Sequence, residues 1–573
     1  MQFSPKWSLW ILAGAAIVLC ACGSVESGTD GDSGPYADDD SLFDWEPDLD
    51  PGDLTDDEPD GDPAEDTDAA DADLSDGDEA DGDLPTDGDA TDGDTPDGDT
   101  ADGDLPDGDD DAAEQVDDDI SEAVEDVETA DESDEPPLVW DAGLLRDKQT
   151  IGCTFENQRT AMKDGVLLDL WDVSYISYES IDSQLQPILI RGFAAKPAGD
   201  SGPMPGLVLA HGLGGCTSES NAPGLAALTG MAVLAYTGPG GSGDGCVTSE
   251  GLPAGHDSSR RLFDTIPDPR GSWFWAHAVA AMRGLTCLST RPEVDDNRLG
   301  MTGFSAGGVV TLISAAVDSR IKAAVPLSGT GAWDVAMQSP AAWQYALLSQ
   351  AGLTTSSPEW RVLQAEIVPH SLLPRTQAKI LMTNGSTDEF FPLTAHVATY
   401  AAIPGDDKRT AIAANFDHGC YSLTGIESAA NIETRAERVG AGNQRAWFRH
   451  WFGTDGDYSY YPMTPAVSVT PIGAAMYATA VVDSGGGKLN VESVKFWWSN
   501  DDAFYFGSVD LTESGGGLWG KEVLATLQAN TVYFVEVTYK TQDWFFPERF
   551  ILTSAPVVPA SPAPHIRDIV NCL

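Results

Sequence analysis

The chain has 573 residues, enough for several domains, with 93 acidic and 30 basic residues and a formal net charge of −63. The excess is local, because residues 23–138 contain 50 acidic residues and no lysine or arginine, whereas residues 139–573 contain 43 acidic and 29 basic residues. The absence of a basic stripe disfavours nucleic-acid binding. Only one early segment is apolar enough to enter a bilayer, which excludes a polytopic membrane protein.

That segment, residues 7–21, follows Lys6 and has the length of a signal-peptide core. It ends in Leu19-Cys20-Ala21-Cys22-Gly23, which resembles a bacterial lipobox with Cys22 as the residue that receives lipid. An ordinary cleaved signal is the alternative. Because Gly follows Cys22, we expect an exported lipoprotein of the outer membrane or cell surface, with residues 1–22 as its signal peptide.

Residues 23–138 are mostly Asp, Gly, Ala, Thr and Pro, and Asp-Gly-Asp recurs every five residues from Asp87 to Asp107. Such a segment buries too little apolar surface to offset its ordering entropy, so it is predicted to be an extended, disordered linker. Calcium binding by the carboxylates is the alternative, although no complete EF-hand loop is present.

Eight cysteines occur in the chain. Once Cys20 is removed with the signal and Cys22 carries lipid, an even six remain, which fits disulfide bonding in an oxidising compartment. Sequence alone does not choose among the 15 pairings that six cysteines allow. Cys216 and Cys246 both follow predicted strands, so a bridge between them is one candidate.

From residue 139 onward, apolar runs of strand length alternate with helix-length segments, which predicts an α/β fold with a mostly parallel sheet over residues 139–460. The expected helices are residues 272–288, 306–317 and 432–452. The expected strands are residues 188–195, 206–210, 231–236, 298–302, 323–327, 379–383 and 409–414.

Gly303-Phe304-Ser305-Ala306-Gly307-Gly308 lies between a predicted strand and an apolar helix. A sharp strand-to-helix turn of this kind, a nucleophile elbow, exposes the serine hydroxyl, and its small flanking residues avoid clashes. Ser305 is therefore the predicted nucleophile.

A serine nucleophile needs a base and an acid. In α/β-hydrolases these follow in the order Ser, acid, His. His418 follows the last predicted strand of the sheet, and Asp388 lies in the turn after residues 379–383. Glu389 is the alternative acid, and Asp417 is expected to shape the loop.

His211-Gly212-Leu213-Gly214-Gly215 follows the strand at residues 206–210 and resembles the loop that lends a backbone N–H to the oxyanion hole of these hydrolases. By that match, the oxyanion donors are the amides of Leu213 and Ala306, and His211 is structural.

Together these motifs resemble the α/β-hydrolase superfamily, in the branch of dienelactone hydrolases, acetyl xylan esterases and prolyl-oligopeptidase-like enzymes, over about half of the chain. The resemblance implies a serine hydrolase that needs no metal or organic cofactor. Too few residues precede the sheet for the propeller of the peptidases, and Ser305 stands where dienelactone hydrolases use Cys. A carboxylesterase acting on a small-molecule or polysaccharide-linked ester is therefore favoured. A serine peptidase and a non-catalytic surface binding protein are the alternatives.

Two regions are expected to border the site. The first is a helical insertion at residues 333–375, expected to form a lid whose aromatic residues are either its core or a substrate platform. The second is the Gly-rich loop 237–246. Short strands and Gly-rich turns predict a small immunoglobulin-like β-sandwich over residues 461–573. Its Trp497, Trp498, Trp519 and Trp544 are interpreted as core residues or, alternatively, as a carbohydrate-binding face.

Overall fold

The computed structural model describes residues 139–558, apart from residues 200–201, 254–255, 257–261, 263–267, 339–341, 419–426, 454–457, 502 and 543–547. The predicted signal peptide, the predicted lipidation site Cys22 and the acidic linker therefore lie outside the described residues, as does Trp544. Within the described part of the chain, no helix combines the length and apolar character that crossing a membrane requires.

A nine-stranded sheet forms the centre of the larger domain, in the order β1-β2-β3-β6-β4-β8-β9-β10-β11. The strands from β6 to β11 in this order run parallel, whereas β1, β2 and β3 form an antiparallel extension at one edge. The strands are β1 (Thr154–Lys163), β2 (Val166–Ile181), β3 (Gln184–Pro197), β4 (Met204–Ala210), β6 (Ala232–Thr237), β8 (Val294–Phe304), β9 (Ile321–Leu327), β10 (Lys379–Gly385) and β11 (Lys408–Ala413); β5 (Thr217–Ser218) and β7 (Cys246–Val247) form a separate ribbon.

Helices cover both faces of this sheet. They are α1 (Ala142–Arg146), α2 (Asn221–Thr229), α3 (Trp273–Leu288), α4 (Ala306–Val317), α5 (Trp333–Ala336), α6 (Trp343–Gln350), α7 (Pro358–Glu366), α8 (Pro369–Leu372), α9 (Leu393–Ala402), α10 (Ala429–Glu437) and α11 (Asn443–Phe452), with 3-10 turns at Pro269–Gly271 and Leu373–Arg375. This arrangement confirms the predicted α/β-hydrolase architecture. The helix predicted at residues 432–452 is interrupted, because a π-helical turn, Arg438–Gly442, separates α10 from α11.

The core lies between the sheet and α3, all of whose residues are buried. A helix that is apolar on every side must be covered all round. Two hydrogen bonds join α3 to β2: Arg283 of α3 donates from Nε to the Ile176 carbonyl at 2.6 Å, and Tyr175 of β2 donates from its hydroxyl to the Ala280 carbonyl at 2.9 Å.

Two four-stranded antiparallel sheets form the second domain, in the orders β12-β13-β17-β16 and β15-β14-β18-β19. Their strands are β12 (Ala466–Ile472), β13 (Ala475–Val481), β14 (Asn490–Ser499), β15 (Gly507–Asp510), β16 (Thr512–Gly515), β17 (Leu518–Val523), β18 (Val532–Lys540) and β19 (Arg549–Thr553). Named in chain order, these are the A-B-E-D and C′-C-F-G sheets of an immunoglobulin-like sandwich, which confirms the predicted class.

The sandwich packs directly on the hydrolase domain. The Asn443 side-chain amide donates to the Ile551 carbonyl at 2.6 Å, and the Ile412 N–H donates to Thr553 Oγ1 at 3.2 Å. Phe506 and Phe534 of the sandwich share an apolar cluster with residues of β11 and α9. The two domains therefore bury apolar surface against each other.

Two disulfides occur among the described residues. Cys216 is bonded to Cys246, the bridge named as a candidate above, and Cys153 is bonded to Cys287. The first joins the loop after β4 to β7, and the second joins the residue before β1 to α3. Cys420 and Cys572 lie outside the described residues.

Candidate active site

Ser305 lies at a sharp turn between β8 and α4, with φ 59° and ψ −124°. This conformation is unfavourable for a residue other than glycine. The glycines beside it permit the turn, since a Cβ on Gly303 or Gly307 would lie 2.7 or 2.3 Å from the Ala210 carbonyl oxygen. The elbow predicted from the motif is thus built by close packing of β8 and α4 against the end of β4.

The structure brings Ser305, His418 and Asp388 together. His418 Nε2 lies 2.7 Å from Ser305 Oγ, and His418 Nδ1 lies 2.9 Å from Asp388 Oδ2. The Asp388 carboxylate accepts a hydrogen bond from the N–H at Nδ1, which leaves Nε2 without a proton and able to accept one from the Ser305 hydroxyl. These three side chains form the hydrogen-bonded arrangement required for general-base activation of a serine.

The Asp388 carboxylate is itself held in place. Its Oδ1 accepts the backbone N–H groups of Phe390 at 3.0 Å and Phe391 at 2.8 Å, and the residue is 4% exposed. Two backbone donors fix the carboxylate against rotation, so it keeps the imidazole in one orientation.

The imidazole of His418 is enclosed by aromatic rings. Phe304 stacks on it with ring centroids 5.1 Å apart, and the rings of Phe390 and Phe391 lie at 4.7 and 5.4 Å. This burial by itself lowers the pKa of His418, but the negative charges of Asp388, Glu389 and Asp417 outweigh it, and the net pKa is raised. The surroundings thus favour the imidazolium form of His418.

The predicted oxyanion loop passes beside the serine. A Cβ placed on Gly212 would lie 3.4 Å from Ser305 Cβ and 3.8 Å from its Oγ. Leu213 follows directly, and Ala306 is the first residue of α4, where backbone N–H groups lack partners within the helix. The two predicted donors therefore belong to segments that adjoin the hydroxyl.

His211 is buried behind this loop, in agreement with the structural role predicted for it. Its Nε2 accepts the Gly238 N–H at 2.8 Å, so Nδ1 carries the proton and donates to the Gly212 carbonyl at 2.6 Å. Burial lowers the pKa of His211 to about 4. The neighbouring His277 was not predicted from the sequence. Its ring centroid lies 4.7 Å from that of His211, and burial lowers its pKa as well.

Two further histidines and two carboxylates near the site have other partners. His370 is in α8, where its Nδ1 lies 2.9 Å from Asp334 Oδ1, and His450 is in α11, bonded to the Tyr458 carbonyl. Glu389, the alternative acid, does not bond the imidazole; its carboxylate accepts the backbone N–H of His418 at 3.3 Å. Asp417 is buried in the turn that carries His418.

The helical insertion between β9 and β10 is present as α5–α8. Its Trp333 and Trp360 are 1% and 2% exposed, which supports a role in the core of the insertion, whereas Tyr345 is 41% exposed. In the sandwich, Trp497 is 3% exposed, and Trp498 and Trp519 pack against the apolar core. The described tryptophans of the sandwich therefore favour the core interpretation over a carbohydrate-binding face.

Comparison with known proteins gives one family match. Residues 168–329 match the family model described as acetyl xylan esterase (AXE1). The matched segment contains His211 and Ser305 and ends before Asp388 and His418, so the family match does not bear on these two residues.

Solved structures were compared with the chain over about half of its length. An acetyl xylan esterase from Paenibacillus sp. R4 has a TM-score of 0.40 and 21% identity, covering 50% of this chain and 92% of that one. The acetyl xylan esterase 1 from Thermoanaerobacterium sp. JW/SL YS485 has a TM-score of 0.39 and 20% identity, covering 52% of this chain and 92% of that one. The Pyrococcus horikoshii acylaminoacyl peptidase has a TM-score of 0.37 and 15% identity, covering 52% of this chain and 51% of that one.

The match to an esterase family supports carboxylic ester hydrolysis ahead of peptide hydrolysis. It falls on a domain that has a largely parallel sheet and a serine elbow. The chain thus carries an α/β-hydrolase domain that is similar, over residues 168–329, to the acetyl xylan esterases.

Proposed function

We propose that the protein is a serine carboxylesterase in which Ser305 is the nucleophile, His418 the general base and Asp388 the acid that orients the base. Ser305 Oγ attacks the ester carbonyl carbon while its proton passes to His418 Nε2. The tetrahedral intermediate then collapses, His418 returns the proton to the departing alcohol, and an acyl-serine ester remains. Water, deprotonated by the same imidazole, releases the carboxylic acid.

The amides of Leu213 and Ala306 are proposed to bind the oxyanion of that intermediate. Each such donor is worth about 3 kcal/mol of transition-state stabilisation in enzymes of this kind. The orientation of the Gly212–Leu213 peptide supports this assignment, because the bond from His211 Nδ1 holds the Gly212 carbonyl on the side of the ring. In a trans peptide the N–H of Leu213 then points the opposite way.

The single observation that carries the proposal is the unbroken hydrogen-bond chain from Ser305 Oγ through the His418 ring to Asp388, at 2.7 and 2.9 Å. The three residues come from the ends of three different elements. Ser305 and His418 are 113 positions apart in sequence, and His418 and Asp388 are 30 positions apart. They meet at the carboxyl end of a parallel sheet, which is where α/β folds bind their ligands.

Export and lipid anchoring are proposed from the N-terminal sequence. The apolar run followed by Ala21-Cys22-Gly23 supports lipid attachment at Cys22, and the acidic linker of residues 23–138 would hold the enzyme away from the outer membrane or cell surface. The two disulfides among the described residues are consistent with an oxidising compartment.

For the substrate, we propose an acetyl ester carried by a polysaccharide of the xylan type. The description of the matching family supports this class. An exported enzyme on a long tether is also suited to a polymer that cannot enter the cell.

The test compares the full-length protein with Ser305→Ala and with a matched control, Ser514→Ala, an exposed serine of β16. All three proteins are assayed on p-nitrophenyl acetate, butyrate and octanoate, on acetylated xylan with acetate release, and on a fluorogenic peptide panel. We expect Ser305→Ala to lose about 10⁴-fold or more in kcat, with the control unchanged. Release of acetate from xylan would support the substrate class.

Equal ester turnover in the wild type and Ser305→Ala would contradict the assignment of the nucleophile. Cleavage of peptides without ester turnover would replace the esterase by a serine peptidase. If the wild type turns over none of these substrates, a non-catalytic surface binding protein becomes the better interpretation.

A further inference from the structure

The acid and the base of the proposed triad sit on two loops that are bonded to each other. The acid loop, residues 385–391, begins at the last residue of β10, and the histidine loop, residues 413–418, begins at the last residue of β11. Besides the strand pairing and the bond between the Asp388 carboxylate and the His418 ring, four hydrogen bonds among the described residues join these loops. They are Ser386 N–H to the Ala413 carbonyl at 3.0 Å, Asn415 N–H to Ser386 Oγ at 2.8 Å, Thr387 N–H to the Phe416 carbonyl at 3.2 Å and His418 N–H to Glu389 Oε2 at 3.3 Å.

The last of these bonds differs from the others. It is made by a charged side chain, and it holds the backbone of the residue whose imidazole faces Ser305. Glu389 is half-buried and follows Asp388 directly, so both carboxylates converge on His418, one on the ring and one on the main chain.

Among the described residues, three carboxylates act on the pKa of the His418 imidazole. Asp388, Glu389 and Asp417 each raise the pKa of His418 against the effect of burial. On Glu389 the strongest influence is burial, which together with the charge of Asp388 raises its own pKa, while His418 acts in the opposite direction. Glu389 and His418 therefore stabilise each other's charged forms.

We propose that Glu389 is a positioning residue for His418: its carboxylate fixes the histidine backbone and adds a negative charge, beside those of Asp388 and Asp417, that favours the imidazolium. This inference rests on the proposed function, because the imidazolium matters only where His418 acts as the base. It assigns to Glu389 a task separate from that of Asp388, which orients the ring.

Three variants of the full-length protein separate the two parts of this role. Glu389→Gln keeps an oxygen that can accept the His418 N–H and removes the charge. Glu389→Asp keeps the charge on a shorter side chain. Glu522→Gln, an exposed glutamate of β17, is the matched control for loss of one negative charge.

Two readouts are measured: the pH profile of kcat/KM on p-nitrophenyl acetate, and the titration of the His418 Cε1 signal by NMR with ¹³C-labelled histidine, assigned with His418→Gln. For Glu389→Gln we expect both midpoints to move down by about 0.5 pH unit. Well below the midpoint, its rate relative to its own plateau is then about threefold that of the wild type. Glu389→Asp and Glu522→Gln are expected to keep the wild-type midpoint.

An NMR midpoint in Glu389→Gln equal to that of the wild type overturns the inference, whatever happens to the plateau rate, because a merely structural glutamate would change only the plateau. The NMR result does not depend on turnover. A shifted His418 midpoint in a protein without esterase activity would therefore overturn the proposed function and retain the electrostatic coupling, so the two failures are distinguishable.

Discussion

At the scale of single residues, the site depends on one strained backbone position and the small neighbours that allow it. Ser305 has φ 59°, a conformation that costs about 1–3 kcal/mol in a residue with a side chain. The strain persists because α4 lies so close to the end of β4 that Gly307 has no room for a Cβ. The hydroxyl is thereby fixed in place before any substrate arrives.

Substituting Gly307 by alanine tests this close approach. The new Cβ would meet the Ala210 carbonyl oxygen at 2.3 Å and the His211 carbonyl oxygen at 2.7 Å. We expect Gly307→Ala to lower the free energy of unfolding by about 2–3 kcal/mol in urea titrations, with most esterase activity lost. Gly224→Ala in α2, where a Cβ would meet nothing within 4 Å, is the control and should be neutral or slightly stabilising. Equal stability of the two variants would disprove the close packing.

The sequence predicts those site residues that are marked by a contiguous motif or by the strand before them, and it does not predict contacts between distant loops. Ser305 is predictable because its motif, strand and helix are contiguous. Asp388 and His418 were predicted from their order and from the strands they follow. The bond from Glu389 to the His418 backbone was not, because it depends on how two loops far apart in sequence meet. His277 carries no motif, and only its burial beside His211 draws attention to it.

At the scale of elements, the sandwich contacts the segment that carries the base. Asn415, three residues before His418, donates from its side-chain amide to the Phe506 carbonyl at 2.9 Å and accepts the Phe506 N–H at 2.8 Å. Its own N–H donates to Ser386 Oγ. One side chain thus links the sandwich to the histidine loop.

Replacing Asn415 by alanine should weaken this link. Two buried backbone groups of Phe506 would lose their partner, and alanine tolerates the φ of 60° at this position less well than asparagine. We expect a loss of about 2–4 kcal/mol in the free energy of unfolding, together with lower kcat. Asn157→Ala is the matched control: this exposed asparagine has φ 51° and bonds Asp172, and its loss should cost less than about 1 kcal/mol. Similar losses in both variants would contradict the linking role.

The elements that the sequence predicted best are buried on both faces. The strand at residues 206–210 was recognised from its apolar run, and β4 contains it. By contrast, β2 alternates buried with more exposed residues, and β12 is exposed or half-exposed along its whole length. Edge and half-covered strands carry a weaker hydrophobic signal, so β1 and β2 are not among the strands predicted from the sequence.

At the scale of the whole molecule, several histidines are buried in their neutral form. Burial lowers the pKa of His211 to about 4 and of His396 to about 3, and lowers that of His277 well below its ordinary value. Each is neutral in both the folded and the unfolded chain above pH 6.5. Below pH 6.5 the unfolded chain binds protons that the folded chain refuses, so stability falls as the pH falls towards the folded pKa.

We therefore expect the free energy of unfolding to drop by about 4 kcal/mol between pH 6.5 and 5.0, since each such group contributes up to about 1.4 kcal/mol per pH unit. His418 and His370 have raised pKa values and act oppositely, with a contribution that is full below pH 6.5 and lost as the pH rises. Urea titrations at the two pH values measure the drop. His396→Gln should reduce it by about a third, and an unchanged stability at pH 5.0 would contradict the prediction.

The bond between Cys153 and Cys287 also has a mechanical consequence. Cys153 immediately precedes the edge strand β1, and Cys287 belongs to the fully buried α3. When the chain is pulled from its N-terminal side, the hydrogen bonds that α3 makes to Val139 and Leu145 bear the tension first. Once these yield, tension reaches Cys153 and passes through the covalent bond into α3. Edge strand β1 is therefore shielded from being unzipped, and the load is borne in the core.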